Sequence, residues 1–215
     1  MKKTISALCI GFFLCYLLSA YMDSTKTALA EGVIRLHVIA NSDSEQDQAL
    51  KLKVRDEILV QCGAFFSENK KIDTVRSDIV TNIDYIEQIA KKEIEKNGFD
   101  YDVDVSFGMS EFPRKEYGSV TLPAGEYQAL RVKIGEASGK NWWCVMFPPL
   151  CFVDETCVSI SDESNLALKS QLGTKTYDMV TSTGASTRFR MKTYELWQEG
   201  KSRLSSYLAT IGEAS

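Results

Sequence analysis

Apolar and polar residues alternate from Val33 to Ala40, VIRLHVIA. Ile34, Leu36, Val38 and Ala40 fall on one side, and Val33, Arg35, His37 and Ile39 on the other. A period of two predicts a strand. Ser42 then stands three residues before Glu45, the spacing of a capping box. The helix predicted after it carries Leu50, Val54, Ile58, Cys62 and Phe66 at steps of four. Ile72, Val75, Ile79, Ile83, Ile86, Ala90 and Ile94 step by threes and fours and predict one long second helix, closed by Asn97-Gly98.

From Tyr101 to Met109 the period returns to two. Tyr101, Val103, Val105, Phe107 and Met109 oppose Asp102, Asp104, Ser106 and Gly108, the pattern of an antiparallel or edge strand with one wet face. Leu130, Val132 and Ile134 alternate with Arg131 and Lys133 in the next strand. The turn Gly135–Asn141 leads into Trp142–Phe147, apolar on both faces, which reads as a central strand entered by a hairpin. Glu155–Thr187 is polar and rich in Ser and Thr; it reads as a loop or insertion with a short helix at Asn165–Gln171. An amphipathic helix is predicted from about Phe189 to Ala209, with Tyr194, Trp197, Leu204 and Leu208 on one side.

These elements add up to an α+β fold: a strand, two helices, a small mostly antiparallel sheet and a C-terminal amphipathic helix. The domain spans residues 31–154, the polar loop or insertion 155–187, and the C-terminal helix, packed on the domain, 188–215.

Residues 1–30 have a different character. Lys2 and Lys3 precede an uncharged apolar run, Ile5–Met22, and Ala28-Leu29-Ala30 has the small-residue form of a signal-peptidase site. Glu31 would then be the first mature residue. The run is also at the lower edge of what spans a bilayer, so a retained membrane anchor is the second reading. Either reading places the rest of the chain outside the cytoplasm. Loss of residues 1–30 removes Lys2, Lys3, Lys26 and Asp23 and takes the net charge from −4 to −6. Such a surface repels nucleic acid and anionic lipid.

Chemistry has few candidates. His37 is the single histidine of the chain. As a general base it needs a nucleophile and an orienting group within reach; Ser42, Asp43 and Ser44 are near, but they fit a turn and a helix cap better. Asp102 and Asp104 share a strand face and could divide acid and base roles, although without a burial signal a solvated face is the simpler account. No G-x-S-x-G, H-E-x-x-H or EF-hand loop occurs. No metal or cofactor is expected. Outside the N-terminal segment lie Cys62, Cys144, Cys151 and Cys157, which allow three pairings. In NWWCVMFPPLCFVD, Asn141–Asp154, a bridge between Cys144 and Cys151 would span the Pro148-Pro149 turn. Arg114, Lys115 and Glu116 lie in an expected exposed loop between Pro113 and Gly118.

The exported start and three segments together resemble the stage II sporulation protein R family. The segments are IRLHVIANSDSEQDQALKLKVRDEIL (Ile34–Leu59), FPRKEYG (Phe112–Gly118) and LPAGEYQALRVKIGEASGKNWWCVMFPPLCFVD (Leu122–Asp154). The resemblance implies a secreted signalling protein of endospore formers, made in the forespore and exported into the space between forespore and mother cell. It implies a partner, the membrane-embedded aspartic protease that processes the sigma-E precursor, and no catalysis by the chain itself. Contact residues for that partner are expected at the exposed turns and around the histidine: His37, Asn41, Asp43, Arg114, Lys115 and Tyr117. The rival expectation is an exported cell-envelope hydrolase with a site around His37, Asp102 and Asp104.

Overall fold

The structure, a computed structural model, describes residues 10, 11, 13, 27–66, 70–151 and 162–181. Strand β1 (Ile34–Ile39) is followed by helix α1 (Glu45–Gln61), a 3-10 turn (Gly63–Phe66), α2 (Ile72–Thr81) and α3 (Ile83–Lys96). Strands β2 (Val103–Phe112), β3 (Lys115–Tyr117), β4 (Val120–Leu122), β5 (Gly125–Ile134) and β6 (Asn141–Phe147) come next, then helix α4 (Asp162–Thr181). The fold is α+β, as the periodicities predict.

Four strands form one sheet in the order β2-β5-β1-β6, and β3 and β4 form a separate two-stranded hairpin. β1 runs parallel to β5 and antiparallel to β6. The expected β5–β6 hairpin is therefore absent: β1 lies between the two strands, and β6 is an edge strand rather than a central one. The chain between them, residues 135–140, crosses the end of β1 and seats on the turn after it. Ser138 N donates to Asn41 O at 3.1 Å and Gly139 N to Ala40 O at 3.0 Å. Both faces of β6 are apolar for another reason. One faces the helices, and the other is closed in by aromatic neighbours.

Leu36, Val38, Val132 and Ile134 are buried on the helix side of the sheet beside Leu50, Val54, Ile58, Ile86, Ala90 and Ile94. At about 25 cal/mol per Å² of apolar surface removed from water, this layer is the main source of stability. α1 is capped by Ser44, whose Oγ accepts from Asp47 N at 3.1 Å, and not by Ser42. The turn continues two residues further than the capping-box spacing implies, because residues 41–43 anchor the β5–β6 connection. The predicted second helix is two helices. At Asn82 the backbone leaves the helical region (φ −111, ψ 21) and the side-chain Nδ2 donates to Asp78 O at 2.8 Å. An asparagine that bonds its own preceding turn competes with the helix ladder and breaks it.

α4 replaces most of the polar loop expected over 155–187. It runs 20 residues, with a break at Gly173 (φ 71, ψ 158). Leu168 and Leu172 are buried, and residues 27–32 form a helical segment beside them. A Cβ on Gly32 would stand 2.5 Å from Leu172 Cδ2. The C-terminal helix expected at 188–215 and most of the N-terminal segment lie outside the described residues. Among the described residues no helix is long and apolar enough to cross a membrane.

Candidate functional site

The second face of the sheet carries the polar and aromatic side chains. Register places Ser106, Arg131, His37 and Trp143 in one row across β2, β5, β1 and β6. Gly108, Ala129, Arg35 and Val145 form the next row. Strand alternation aims Arg35 and His37 to the same side. That is the face without α1 and α3.

Arg35 is completely buried. Its Cζ lies 4.0 Å from the centre of the Phe112 ring and 4.9 Å from that of Tyr127, and Nη2 donates to Tyr117 Oη at 2.8 Å. Ring faces attract a desolvated guanidinium. Burial still depresses the Arg35 pKa, against the opposing pull of Tyr117 and Tyr127. Tyr117 reaches this site because the β3–β4 hairpin folds over it. Burial raises the Tyr117 pKa, with Arg35 opposing. Tyr117 is thus an inward-facing residue of the hairpin and not part of an exposed loop.

His37 is half-buried, stacked on Trp143 with ring centres 5.7 Å apart and edge-on to Phe112 at the same distance. Its Nε2 is 2.7 Å from Asn141 Oδ1 and donates to it. Nδ1 is then an unprotonated acceptor with no partner. Burial lowers the His37 pKa; the bond to Asn141 opposes this, and Arg131 and Arg35 reinforce it. No serine, threonine or carboxylate bonds to the imidazole among the described residues.

The other candidates separate into two groups. Asn41 and Asp43 hold backbone: Asn41 Oδ1 accepts from Glu136 N at 3.0 Å, and Asp43 Oδ1 from Lys140 N at 2.7 Å. Asn41 Nδ2 and Ser42 Oγ both donate to Asp47. Burial would raise the Asp47 pKa, but these bonds keep it below its ordinary value. Arg114 and Lys115 lie on the hairpin, and Arg114 Nη2 pairs with Glu116 at 2.8 Å. Asp102 and Asp104 are exposed, near Lys91 and Lys133 at 3.7 and 3.5 Å. Asp104 sits two strands across and one row along from His37, about 12 Å away at the normal strand spacing and rise.

Cys144 and Cys151 form a disulfide across the turn that contains the cis Phe147–Pro148 bond. Cys62 is a free buried thiol, its pKa pushed up to about 11 by burial. Cys157 lies outside the described residues. A groove of about 180 Å³ between α1 and α3 is lined by Glu57, Tyr85, Ile89 and Lys92. It lies on the helix side, away from His37. Among the described residues no group of three or more His, Cys, Asp or Glu could hold a metal ion. Reading the sequence missed Arg35 and Arg131 as site residues. A charge inside the apolar strand IRLHVI was the available signal.

The site is therefore an aromatic-caged, buried arginine beside a histidine hydrogen-bonded to Asn141. The family model described as Stage II sporulation protein R (spore_II_R) matches residues 30–157, which include all six strands. A curated relative, Stage II sporulation protein R of Bacillus subtilis (strain 168), is 38% identical over 166 residues, covering 72% of this chain and 73% of the relative. The chain therefore belongs to the stage II sporulation protein R family. No solved structure matches it.

Proposed function

We propose that this chain is an exported signalling protein of sporulation. It crosses the forespore membrane and acts in the space between forespore and mother cell. There it binds and activates a membrane-embedded aspartic protease, which then processes the sigma-E precursor, and it performs no catalysis itself. The family match across the entire β-sheet domain carries this reading. The arrangement of polar groups supports it: the imidazole is tied to Asn141, and the nearest candidate carboxylates are two strands away and solvated.

Activation follows from differential binding. A ligand shifts a protease from off to on only by binding the active state better, and a shift from 1:99 to 99:1 needs about 5.5 kcal/mol of difference. The surface for this contact is the hairpin bearing Arg114 and Lys115 together with the adjoining His37 face.

The test is co-expression of this protein, its cognate membrane protease and the sigma-E precursor in a non-sporulating bacterium. Precursor size on a gel is the readout. Cleavage that requires this chain and survives Asp102→Asn/Asp104→Asn supports an activating ligand. Equal cleavage without the chain rejects it.

A further inference from the structure

The two edges of the main sheet are finished differently. Along β6, Trp143 O accepts from Tyr117 Oη at 3.3 Å and Val145 O from Leu150 N at 2.9 Å. Nothing comparable closes β2. Gly135 N donates to Asp102 O at 2.8 Å, so in this antiparallel ladder the even-numbered residues of β2 turn their backbone groups to β5. Val105, Phe107, Met109 and Glu111 turn theirs to the open edge, where no group among the described residues bonds to them.

Water answers exposed groups of this kind in the free chain. The informative feature is how little guards them. Native edge strands are kept from pairing by shortness, lysine, proline, bulges or a covering segment. β2 is ten residues long, holds neither lysine nor proline, and keeps one register through all ten pairs with β5. Its middle is open on both faces. A Cβ on Gly108 would meet nothing within 4 Å, and Met109 on the opposite face is 52% exposed.

Charge selects the occupant. Near the start of the ladder Asp104 stands opposite Lys133, with Oδ2 and Nζ 3.5 Å apart. Near its end Glu111 stands opposite Glu126, and both are exposed. Among the described residues no ion pair involves either glutamate. Like charges directly opposed destabilise a sheet. The guanidinium of Arg76 is taken by Gln128 and Asp73. A cation brought from outside relieves the glutamate pair. A second copy of β2 cannot bring it, because Val103–Phe112 contains no Lys, Arg or His. Strand alternation puts Met109 and Glu111 on one face. An added strand therefore sets one residue beside Met109 and another, two positions away, beside Glu111 and Glu126.

We infer that the open edge of β2 is a strand-addition site for an extended basic segment of a partner polypeptide, with an apolar residue against Met109 and a Lys or Arg two positions away against Glu111 and Glu126. The edge ends at Phe112, three residues before Lys115, and so runs into the hairpin surface named above. The inference rests on the function proposed above for the identity of the partner.

The experiment uses the full-length purified chain and the probe acetyl-Thr-Val-Thr-Arg-Thr-Val-Thr-amide, which presents Val two positions from Arg in either strand direction. Amide hydrogen exchange followed by NMR is the readout. The probe is expected to bind saturably and to slow exchange at Val105, Phe107 and Met109, while the even-numbered amides, already bonded to β5, are unchanged. Met109→Pro removes one outward N–H and no bond to β5. It is expected to weaken binding about tenfold or more. The paired exposed-site change Glu111→Lys with Glu126→Lys keeps the test valid if Met109→Pro does not fold. It is expected to transfer the preference to acetyl-Thr-Val-Thr-Glu-Thr-Val-Thr-amide. No saturable binding at millimolar probe, slowed exchange only elsewhere, or equal binding of both probes by the wild type overturns the site. A dimer whose Phe107 and Met109 amides are protected without probe overturns it in favour of a second copy. The co-expression assay separates this from the broader reading: activation that survives both variants overturns the β2 edge alone, whereas no activation by the wild type overturns the activator.

Discussion

Nη2 of Arg35 and Oη of Tyr117 meet at 2.8 Å across 82 residues of sequence, and this is the hydrogen bond that ties the β3–β4 hairpin to β1. Tyr117→Phe removes the acceptor and leaves a further buried donor unpaired. The expected loss is about 1–3 kcal/mol, read as a lower urea midpoint with an unchanged slope. Arg35→Met replaces a buried charge, answered only by ring faces and one hydrogen bond, with an apolar chain of similar length. It is expected to leave the midpoint unchanged or raise it.

Gly139 tests the seating of the β5–β6 connection. A Cβ there would lie 2.2 Å from the carbonyl oxygen of Ser42, which is backbone and cannot swing aside. Gly139→Ala is expected to destabilise by about 3 kcal/mol, the upper end for overpacking. Gly98 is the comparison. Its φ is +82 but nothing lies within 4 Å, so Gly98→Ala should cost only the left-handed conformation, about 1–2 kcal/mol. Equal losses at the two sites in denaturant titrations would contradict the close approach.

His37 predicts an acid-side loss of stability. Its folded pKa is lowered, chiefly by burial, with Arg131 and Arg35 adding to the effect and Asn141 opposing it. Below about pH 6.5 the unfolded imidazole takes up a proton that the folded one does not. Stability therefore falls as pH drops from about 6.5 towards the folded pKa. His37→Gln should flatten that slope in urea midpoints measured between pH 7 and pH 5, and an unchanged slope would place the titration elsewhere.

Leu29 bears on the N-terminus. It is buried in the core, although the sequence places it within a cleavage motif. Leu29→Ala should cost about 2–5 kcal/mol, and a chain starting at Glu31 should melt below one starting at Thr27. The mass of the protein isolated from cells shows which form is retained.

Local periodicity determined much of this molecule. The alternation in VIRLHVIA and in Tyr101–Met109, and the three-four spacing of Leu50, Val54 and Ile58, require strands and a helix. Each pattern arises because one face must leave water. The family was also legible, carried by NWWCVMFPPLCFVD and its companion segments. The site was legible only in part. His37 stood out as a lone histidine, whereas Arg35 looked like an ordinary polar position of an alternating strand.

Tertiary structure decided the rest. Inserting β1 between β5 and β6 is a long-range choice that no local period encodes. That insertion brought Arg131 and Trp143 to either side of His37. The hairpin then folded Tyr117 inward over Arg35. Local pattern fixes which side of a strand a residue faces; only the packing of distant segments determines whether that side meets water, aromatic rings or an unanswered charge.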